Sequence, residues 1–175
     1  MAEKLSQNFN LEEFTASSTA KAKGISNAPT AQHKNNLKYL CVSVLEPLRA
    51  LLNAKYTTYQ GKKVKSVSIR VTSGYRSPAL NKAVGGSSTS AHVNGLAADC
   101  DVVITFIDST KKTIPYIETY ENIKGWVKTG KLTLDQLIQE HSKNGSTWIH
   151  IGVKPDNNRK QFLKYNNGKY TADKF

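Results

Sequence analysis

The stretch SAHVNGLAADCDVVITF, residues 90–106, carries the strongest fold signal in this chain. Its second half is apolar and β-branched, which predicts a strand over Ala97–Phe106. Its first half holds small and turn-forming residues and predicts a loop that leads into the strand. Six residues separate His92 from Asp99, so a loop and a strand can bring both to one side of a metal ion. Asp101 can share the strand face of Asp99, because side chains alternate along a strand.

Two further strands are predicted outward from this stretch. Val67–Val71 alternates apolar and polar residues, which is typical of a half-buried strand. The run Thr147–Val153 predicts a short strand on which His150 shares a face with Trp148. Two histidines and one carboxylate, with a fourth position open to water, form a catalytic zinc arrangement. The spacing alone leaves a second interpretation open, in which His150 is a hydrogen-bonded core histidine and Asp99 caps a strand end.

Helical periodicity and turn residues complete the predicted elements. Apolar residues recur at helical spacing over Thr30–Asn53. Pro47 should kink this helix near Val44–Glu46, because proline removes a backbone hydrogen bond. The remaining predictions are a helical turn at Pro78–Ala83, helices over Tyr116–Thr129 and Leu134–His141, and a strand pair around Asn166–Gly168. The sequence shows no internal repeat, so we expect one domain over residues 1–175.

Length and charge narrow the class of protein. The 175 residues carry 25 Lys and Arg against 13 Asp and Glu, a formal net charge of +12. Such a chain can form one domain with its own core. It should be drawn to polyanions such as nucleic acid, anionic lipid or teichoic-acid-like wall polymers. A basic surface that only keeps the protein in solution is the other interpretation. The sequence contains no run of about 18 apolar residues, so it predicts no transmembrane segment.

The N-terminal residues and the cysteines bear on cellular location. Residues 1–8 contain no apolar segment of the kind found in signal peptides. We therefore expect synthesis in the cytoplasm without a cleaved secretory signal. Cys41 and Cys100 are too few for a disulfide framework or a cysteine-rich zinc module. Each is expected to be a small buried thiol.

Several separated motifs resemble one enzyme family. The pattern Ser-x-His-x-x-Gly-x-Ala-x-Asp is complete from Ser90 to Asp99, and Ser73–Ser77, Asn81 and Gly85–Ser87 precede it in order. Together they closely resemble the signature of the M15 zinc peptidases, which include D-Ala-D-Ala carboxypeptidases and the L-alanyl-D-glutamate endopeptidases of phage lysins. Further matches to the small single-domain subgroup are Phe9–Phe14, Leu45–Arg49, Leu134–Ile138 and Trp148–His150.

The resemblance implies a fold and a metal site. The fold would be α+β, with a small antiparallel sheet, helices packed on one side and the zinc site on the open face, as in hedgehog-like and D-Ala-D-Ala peptidase-like domains. His92, Asp99 and His150 would bind one zinc ion per chain. Asp101 is then expected to be structural, because a catalytic zinc keeps one coordination position open.

The resemblance also implies supporting residues. Arg76 matches the family arginine beside the substrate carbonyl, where a fixed guanidinium can stabilise a developing oxyanion. A surface arginine in a turn is the other interpretation of Arg76. Ser90 resembles a family serine that hydrogen-bonds near the site. Tyr75, beside Arg76 in the same motif, is expected to support the site or to contact substrate.

The sequence departs from the simplest family pattern at the position expected for the general base. Many members carry a glutamate three residues before the last zinc histidine, but that position here is Thr147. Resemblance to members with an Asp-Gln-Leu-Ile segment points to Glu140 instead. On the predicted helix Gln136 shares a face with Glu140 and could orient it. Asp135 and His141 are the alternative bases, and an exposed helix charge is the other interpretation of Glu140.

Two functional hypotheses follow from the sequence. The first is a zinc-dependent, endolysin-like peptidase that cuts the peptide stems of bacterial peptidoglycan, as a carboxypeptidase or an endopeptidase. Its basic surface would hold anionic wall polymers, and it would act on the wall after release by lysis or through a pore. The second is a catalytically impaired, zinc-containing module that binds cell wall or polyanions, suggested by Thr147. The hypothesis of a nucleic-acid-binding protein is supported by the net charge alone, because the sequence contains no recognised DNA- or RNA-binding motif. We expect a monomer with no specific nucleic-acid partner.

Overall fold

The computed structural model describes residues 2–174 and contains one sheet with helices packed against it. The strands are β1 (Thr58–Tyr59), β2 (Lys62–Ser73), β3 (Ala97–Phe106), β4 (Lys111–Thr113), β5 (Gln136–His141), β6 (Thr147–Gly152), β7 (Gln161–Asn166) and β8 (Lys169–Ala172). The α-helices are α1 (Leu11–Thr15), α2 (Ser18–Lys23), α3 (Ala31–Leu40), α4 (Glu46–Lys55), α5 (Pro78–Ala83) and α6 (Tyr116–Lys128). No helix in residues 2–174 has the length and apolar character needed to cross a membrane.

The sheet is antiparallel except for one pair of strands. Its order is β1-β2-β3-β6-β5-β7-β8, with β4 paired to β3, and among the described residues only β5 and β7 run parallel. Helices α1 and α4 pack on β2, and α6 packs on β3, β5 and β6. The predicted α+β fold, with an antiparallel-dominated sheet, is confirmed. The face of the sheet opposite these helices stays open, and this face positions the site.

Alternation along β3 separates the core from the open face. Cys100, Val102 and Ile104 are buried in the core cluster. Ile104 pairs with Val67 of β2, so these apolar side chains form one continuous layer under the helices. Asp99 lies one residue out of phase and therefore points to the opposite face. The strand thus buries its apolar side chains and presents a carboxylate to the open face.

The long predicted helix is interrupted where its proline was expected to disturb it. Residues Cys41–Leu45 form a π-helical turn between α3 and α4, and Pro47 lies in the first turn of α4. Because proline has no amide hydrogen, the i to i−4 ladder cannot continue through it. The Glu46 carboxylate follows this turn and accepts hydrogen bonds from Ser6 Oγ at 2.7 Å and from the Asn8 amide at 2.8 Å. The interruption therefore also anchors the N-terminal segment.

The predicted helix over Leu134–His141 is wrong, because these residues form strand β5. This strand lies between β6 and β7 in the middle of the sheet, with Leu137 in the core under the helices and Ile138 at the floor of a groove on the open face. Leu137 and Ile138 are consequently both buried, although they point to opposite faces. Adjacent buried residues after Leu134 imitate the three- and four-residue spacing of a helix. The strand partners that decide the outcome lie elsewhere in the sequence.

Other local predictions agree with the structure. Strand β3 covers Ala97–Phe106 as predicted, and α6 ends one residue before the predicted end. The hairpin between β7 and β8 turns at Asn167 and Gly168, which adopt positive φ angles of 50° and 96°. Asparagine and glycine are the residues that tolerate this conformation in two-residue hairpin turns. Strong local signals therefore placed these elements correctly.

Both cysteines are buried free thiols, as expected. Burial raises the pKa of Cys41 to about 12. Burial also raises the pKa of Cys100 well above its ordinary value. The two side chains therefore remain protonated at neutral pH and act as small apolar groups in the core.

Gly74 lies just beyond the end of β2, where the chain passes closely against α1. A methyl group added there would lie 2.6 Å from the Phe14 Cα and Cβ atoms. The Gly74 carbonyl oxygen lies 2.6 Å from Nδ1 of His92. This glycine therefore fixes the distance between α1 and the strand while holding a histidine of the candidate site.

We predict that Gly74→Ala lowers the free energy of unfolding by about 1–3 kcal/mol, the usual cost of overpacking. Gly125→Ala in α6 is the matched control, since nothing lies within 4 Å of a methyl group there. The control should gain about 0.5–1 kcal/mol, because alanine favours a helix more than glycine does. Urea denaturation of the three proteins measures both changes. A Gly74→Ala protein as stable as the wild type would contradict the close packing.

Candidate active site

Paired strands place a row of side chains across the open face of the sheet. Asp99 of β3 pairs with His150 of β6, and His150 pairs with Ile138 of β5. Ile138 in turn pairs with Leu163 of β7. Directly paired residues share a face, so we call these four residues the central row. The central row brings together two of the three predicted metal ligands, although they are distant in sequence.

His92 reaches the central row from the loop before β3. It lies in a 3-10 turn, Ala91–Asn94, which ends at Gly95 in the left-handed conformation with φ of 68°. The Gly74 carbonyl can only accept a hydrogen bond, so its 2.6 Å contact places the proton on Nδ1 of His92. Nε2 then presents a lone pair toward Asp99 and His150. A backbone carbonyl that orients a histidine in this way is typical of metal sites.

The three converging atoms form a small triangle. His92 Nε2 lies 3.1 Å from His150 Nδ1 and 3.1 Å from Asp99 Oδ1, and His150 Nδ1 lies 3.0 Å from Asp99 Oδ1. Ligands about 2.0 Å from a tetrahedral zinc ion are separated by roughly 3.3 Å. All three residues are buried. Both the donor types and their spacing therefore fit a metal ion such as zinc.

Asp99 is held as a carboxylate. Burial acts to raise its pKa, but attraction to His92 and hydrogen bonds with both histidines keep the pKa of Asp99 well below its ordinary value. Asp101, on the same face, is paired with Arg70 at 2.6 Å and is not one of the clustered residues. Asp99 is consequently the carboxylate in this cluster, and Asp101 is tied to the neighbouring strand.

Arg76 lies beside the cluster. Its Nη2 donates to Asp99 Oδ2 at 2.5 Å, and its Nε donates to Ser73 Oγ at 2.9 Å. The Arg76 amide also donates to the His92 carbonyl oxygen at 3.1 Å. Among residues 2–174, the hydrogen bonds of this side chain use Nε and Nη2, which leaves Nη1 for another acceptor. The guanidinium is therefore fixed against the cluster with one donor group to spare.

Glu140 lies in a second row of paired residues, which is two residues along the strands from the central row. It pairs with Trp148 of β6 and Tyr165 of β7, and Tyr165 pairs with Tyr170 of β8. We call these four residues the aromatic row. Glu140 is 9% exposed. Burial and the negative charge of Asp99 raise the pKa of Glu140 to about 7, against the opposing effect of His150 and Arg76.

Thr147 and His141 lie on the opposite side of the sheet from Glu140. Each is one residue out of phase with a member of the aromatic row, because side chains alternate along β5 and β6. His141 and Thr147 are directly paired with each other. Neither position can present a side chain to the cluster, whereas Glu140 can. Of the predicted bases on β5, only Glu140 shares the face of His150.

Gln136 does not orient Glu140, so that predicted arrangement is wrong. Four residues of extended strand separate them by about 13 Å. Gln136 lies in a third row with Gly152 and Gln161, on the other side of the central row. Its Nε2 donates to Gln161 Oε1 at 2.7 Å. We call Gln136, Gly152, Gln161 and their neighbour Ala97 the amide row.

Tyr75 and Ser90 lie at the edge of the groove. Tyr75 is buried, and its ring stacks on His33 with centroids 4.5 Å apart. Its main contacts therefore hold the wall of the site in place. Ser90 precedes the 3-10 turn that carries His92, and its carbonyl accepts from the Val93 amide at 3.1 Å. The Ser90 hydroxyl makes no hydrogen bond with the clustered residues, so its role stays a prediction.

Asp135 is occupied by an ion pair that the sequence did not reveal. Arg159 Nε donates to Oδ1 at 2.8 Å and Arg159 Nη2 donates to Oδ2 at 2.5 Å. Burial acts to raise the pKa of Asp135, but the hydrogen bonds from Arg159 keep it below its ordinary value. The partners are 24 residues apart, with no local pattern linking them. A carboxylate paired in this way is a weak base and a structural anchor.

The rows form the floor of a groove of about 1130 Å³. Its lining includes all three clustered residues, Arg76 and Glu140. The structure adds side chains that sequence reasoning missed, namely Lys154, Arg159, Gln161, Tyr165 and Tyr170. They come from β7, β8 and the loop after β6, where no motif marks them. Their recognition required the register of the sheet.

The fold and the site together define a class of protein. A groove on an α+β sheet whose floor holds a buried His-Asp-His cluster offers a site where a metal ion could bind and promote hydrolysis. A family model described as Peptidase M15 matches residues 7–125, more than half of the 175 residues. The chain belongs to the M15 peptidase family, whose members are zinc-dependent, and it is a metallopeptidase. No curated protein matches the chain.

The family match covers only part of the candidate site. Arg76, His92 and Asp99 lie within residues 7–125, whereas Glu140 and His150 lie beyond them. The inclusion of Glu140 and His150 therefore rests on the sheet register and on the distances within the cluster.

We predict that His150→Ala removes most of the affinity for Zn²⁺, because each of the three clustered residues supplies one of few ligands. His141→Ala is the matched control, since this histidine lies nine residues away on the opposite face of the adjacent strand. Equilibrium dialysis with metal analysis should give one zinc ion per chain for the wild type and the control. Stoichiometric zinc in His150→Ala at micromolar free metal would contradict the ligand assignment.

We predict that Asp135→Asn lowers stability at pH 7 by about 1.5–3 kcal/mol, the worth of hydrogen bonds to a charged group. Because the pKa of Asp135 is lowered by folding, its contribution is present above the unfolded pKa and disappears as pH falls through the folded pKa. The stability difference between wild type and variant should therefore shrink below about pH 4. Urea titrations from pH 7 to pH 3 measure it. A difference that does not change with pH would argue against the ion pair.

Proposed function

We propose that this metallopeptidase is a zinc enzyme that hydrolyses the peptide stems of bacterial peptidoglycan. The observation that carries the proposal is the convergence of His92, Asp99 and His150 at the floor of an open groove. Nitrogen and oxygen donors at these separations suit tetrahedral zinc better than the larger, oxygen-rich shell of calcium. Zinc bound there supplies a Lewis acid that polarises a carbonyl and makes a water molecule more acidic.

Glu140 is the residue best placed to move protons. It lies on the groove face next to the central row, and no other carboxylate of β5 or β6 shares that face. A carboxylate with a pKa near 7 can take a proton from the attacking water and return it to the leaving nitrogen. A metal cation nearby would lower this pKa and favour the base form. Glu140 therefore acts as general base and then as general acid in our proposal.

Arg76 would stabilise the negative charge that develops on the substrate carbonyl oxygen. Its bonds to Asp99 and Ser73 hold the guanidinium in one orientation. A donor that is fixed before the reaction costs no reorganisation when charge develops. The unoccupied Nη1 group is the donor for that oxygen. Arg76 thus combines two tasks, positioning Asp99 and stabilising the oxyanion.

The shape of the groove suits an extended peptide. Along β5 it runs from Asp135 to Ser142, a distance of about 23 Å in an extended strand. The net charge of +12 would favour an anionic wall and its polymers. In this proposal the protein is a monomer that is made in the cytoplasm and reaches the cell wall after lysis.

The alternative hypothesis of a catalytically impaired wall-binding module was suggested by Thr147, which occupies the position of the glutamate base in many family members. Thr147 faces away from the cluster, so a glutamate at this position could not serve as base in this sheet. Glu140 places a carboxylate on the correct face. This observation favours turnover over a binding-only role.

We predict that Glu140→Gln retains zinc and the fold but loses about 100- to 10,000-fold in kcat, the usual worth of general acid–base catalysis. Glutamine is nearly isosteric and removes only the titrating group. Glu121→Gln, an exposed position on α6, is the control and should keep full activity. Hydrolysis of defined muropeptides followed by mass spectrometry measures the rate and identifies the bond cut.

The outcomes of this experiment separate the possibilities. An active Glu140→Gln protein would mean that another residue is the base. A wild type loaded with zinc that releases no product from any muropeptide would overturn the proposed substrate and restore the binding module.

A further inference from the structure

The groove contains a distinct region beside the metal-binding cluster, formed by the amide row. On its β3–β6 side this region has only small residues, since Ala97 of β3 is paired directly with Gly152 of β6. A methyl group on Gly152 would lie 3.5 Å from Gln136 Cβ and 3.6 Å from His150 Nε2. The missing side chain therefore leaves depth next to the cluster. Rows two residues apart are separated by about 7 Å, close to the spacing between a scissile bond and the next substrate side chain.

Charged side chains surround this region. Asp135, Lys154 and Arg159 all line the groove at this end. The Asp135 carboxylate is bound through both oxygens by Arg159, and the Arg159 amide adds a third bond at 3.0 Å. One negative charge thus stands against two positive charges. This end of the groove has a surplus cation, whereas the aromatic row at the other end carries the carboxyl group of Glu140.

Lys154 supplies the surplus charge. Its Nζ lies 4.0 Å from Asp135 Oδ1, beyond hydrogen-bond distance. The ammonium makes no hydrogen bond within residues 2–174, and its side chain is 47% exposed. Its backbone is nevertheless fixed, because the Lys154 amide donates to Asn158 Oδ1 at 3.0 Å. An ammonium with unused donors, carried on a fixed stretch of backbone at the rim of this region, is suited to bind an anion.

We propose that Lys154, with Arg159 beside it, forms a subsite for a substrate carboxylate next to the scissile bond. The inference rests on the proposed function, because it assigns the substrate position that the peptidase recognises. The carboxylate can come from two sources in a peptidoglycan stem. One is the α-carboxylate of the glutamyl residue inside the stem, and the other is the carboxylate at the C-terminus of the stem. Recognition of the first makes the enzyme an endopeptidase, and recognition of the second makes it a carboxypeptidase.

The test compares three versions of one synthetic stem peptide. The first has both carboxylates free, the second carries an amide in place of the glutamyl α-carboxylate, and the third carries an amide at the C-terminus. Binding is measured by calorimetry with chelator-treated protein. Without the metal the peptide is not hydrolysed, and its carboxylate cannot bind directly to the metal. The kcat/KM of the zinc-loaded enzyme is measured in parallel. The proteins are the wild type, Lys154→Met and Lys160→Met. The control removes the same charge from the same loop but does not line the groove.

We expect one of the two amides to bind the wild type about 10- to 100-fold more weakly than the free acid, the range for a charged hydrogen bond. Lys154→Met should bind this amide and the free acid with equal affinity, whereas Lys160→Met should discriminate like the wild type. Thermal melting should show that both variants are folded, because the Lys154 side chain makes no hydrogen bond in the protein. The peptide that loses affinity identifies the source of the carboxylate.

Three results would overturn the subsite: equal binding of all three peptides by the wild type, unchanged discrimination by Lys154→Met, or no binding at all. Failure of the proposed function looks different. In that case carboxylate-dependent binding persists while the zinc-loaded enzyme hydrolyses none of the peptides. Hydrolysis without discrimination would retain the proposed function and remove only the subsite.

Discussion

Burial of the Asp99 carboxylate is the constraint on which the rest of this structure depends. A carboxylate removed from water is costly unless charged or polar partners surround it. Oδ1 of Asp99 faces His92 and His150, and Oδ2 faces Arg76. These partners come from β6 and from the loops before and after α5. One side chain therefore requires three separate parts of the chain to meet, and their meeting shapes the floor of the groove.

The two oxygens of Asp99 have different partners, and each partner is held by its own part of the scaffold. Gly74 must lack a side chain so that its carbonyl can hold His92 while the chain passes close to Phe14. Ser73 fixes Arg76 from the other side. The motif around these residues is therefore more than a set of chemical groups. It specifies a backbone path that aims the groups at Asp99.

The sequence was informative where structure is local and uninformative where it depends on distant partners. Alternation identified β2, the β-branched run identified β3, and Pro47 marked the π-helical turn. Strand β5 was mistaken for a helix because Leu137 and Ile138 are both buried although they lie on opposite faces, which hides the period of two. The metal-binding cluster could be proposed from the spacing of His92 and Asp99 together with the family resemblance. The pairing of Asp135 with Arg159, the amide row and the role of Lys154 could not, since they arise only from register between strands.

The order of strands has a consequence for how the protein is made. In the sheet β6 lies between β3 and β5, yet in the sequence β5 precedes β6. During synthesis β3 and β5 leave the ribosome with a vacant position between them, and β3 keeps an unpaired edge along Ala97–Cys100 until β6 arrives. His150 enters with β6. The group of His92, Asp99 and His150 is thus completed only when β6 fills the position between β3 and β5, so a nascent chain that ends before β6 has two of the three residues and no complete metal site.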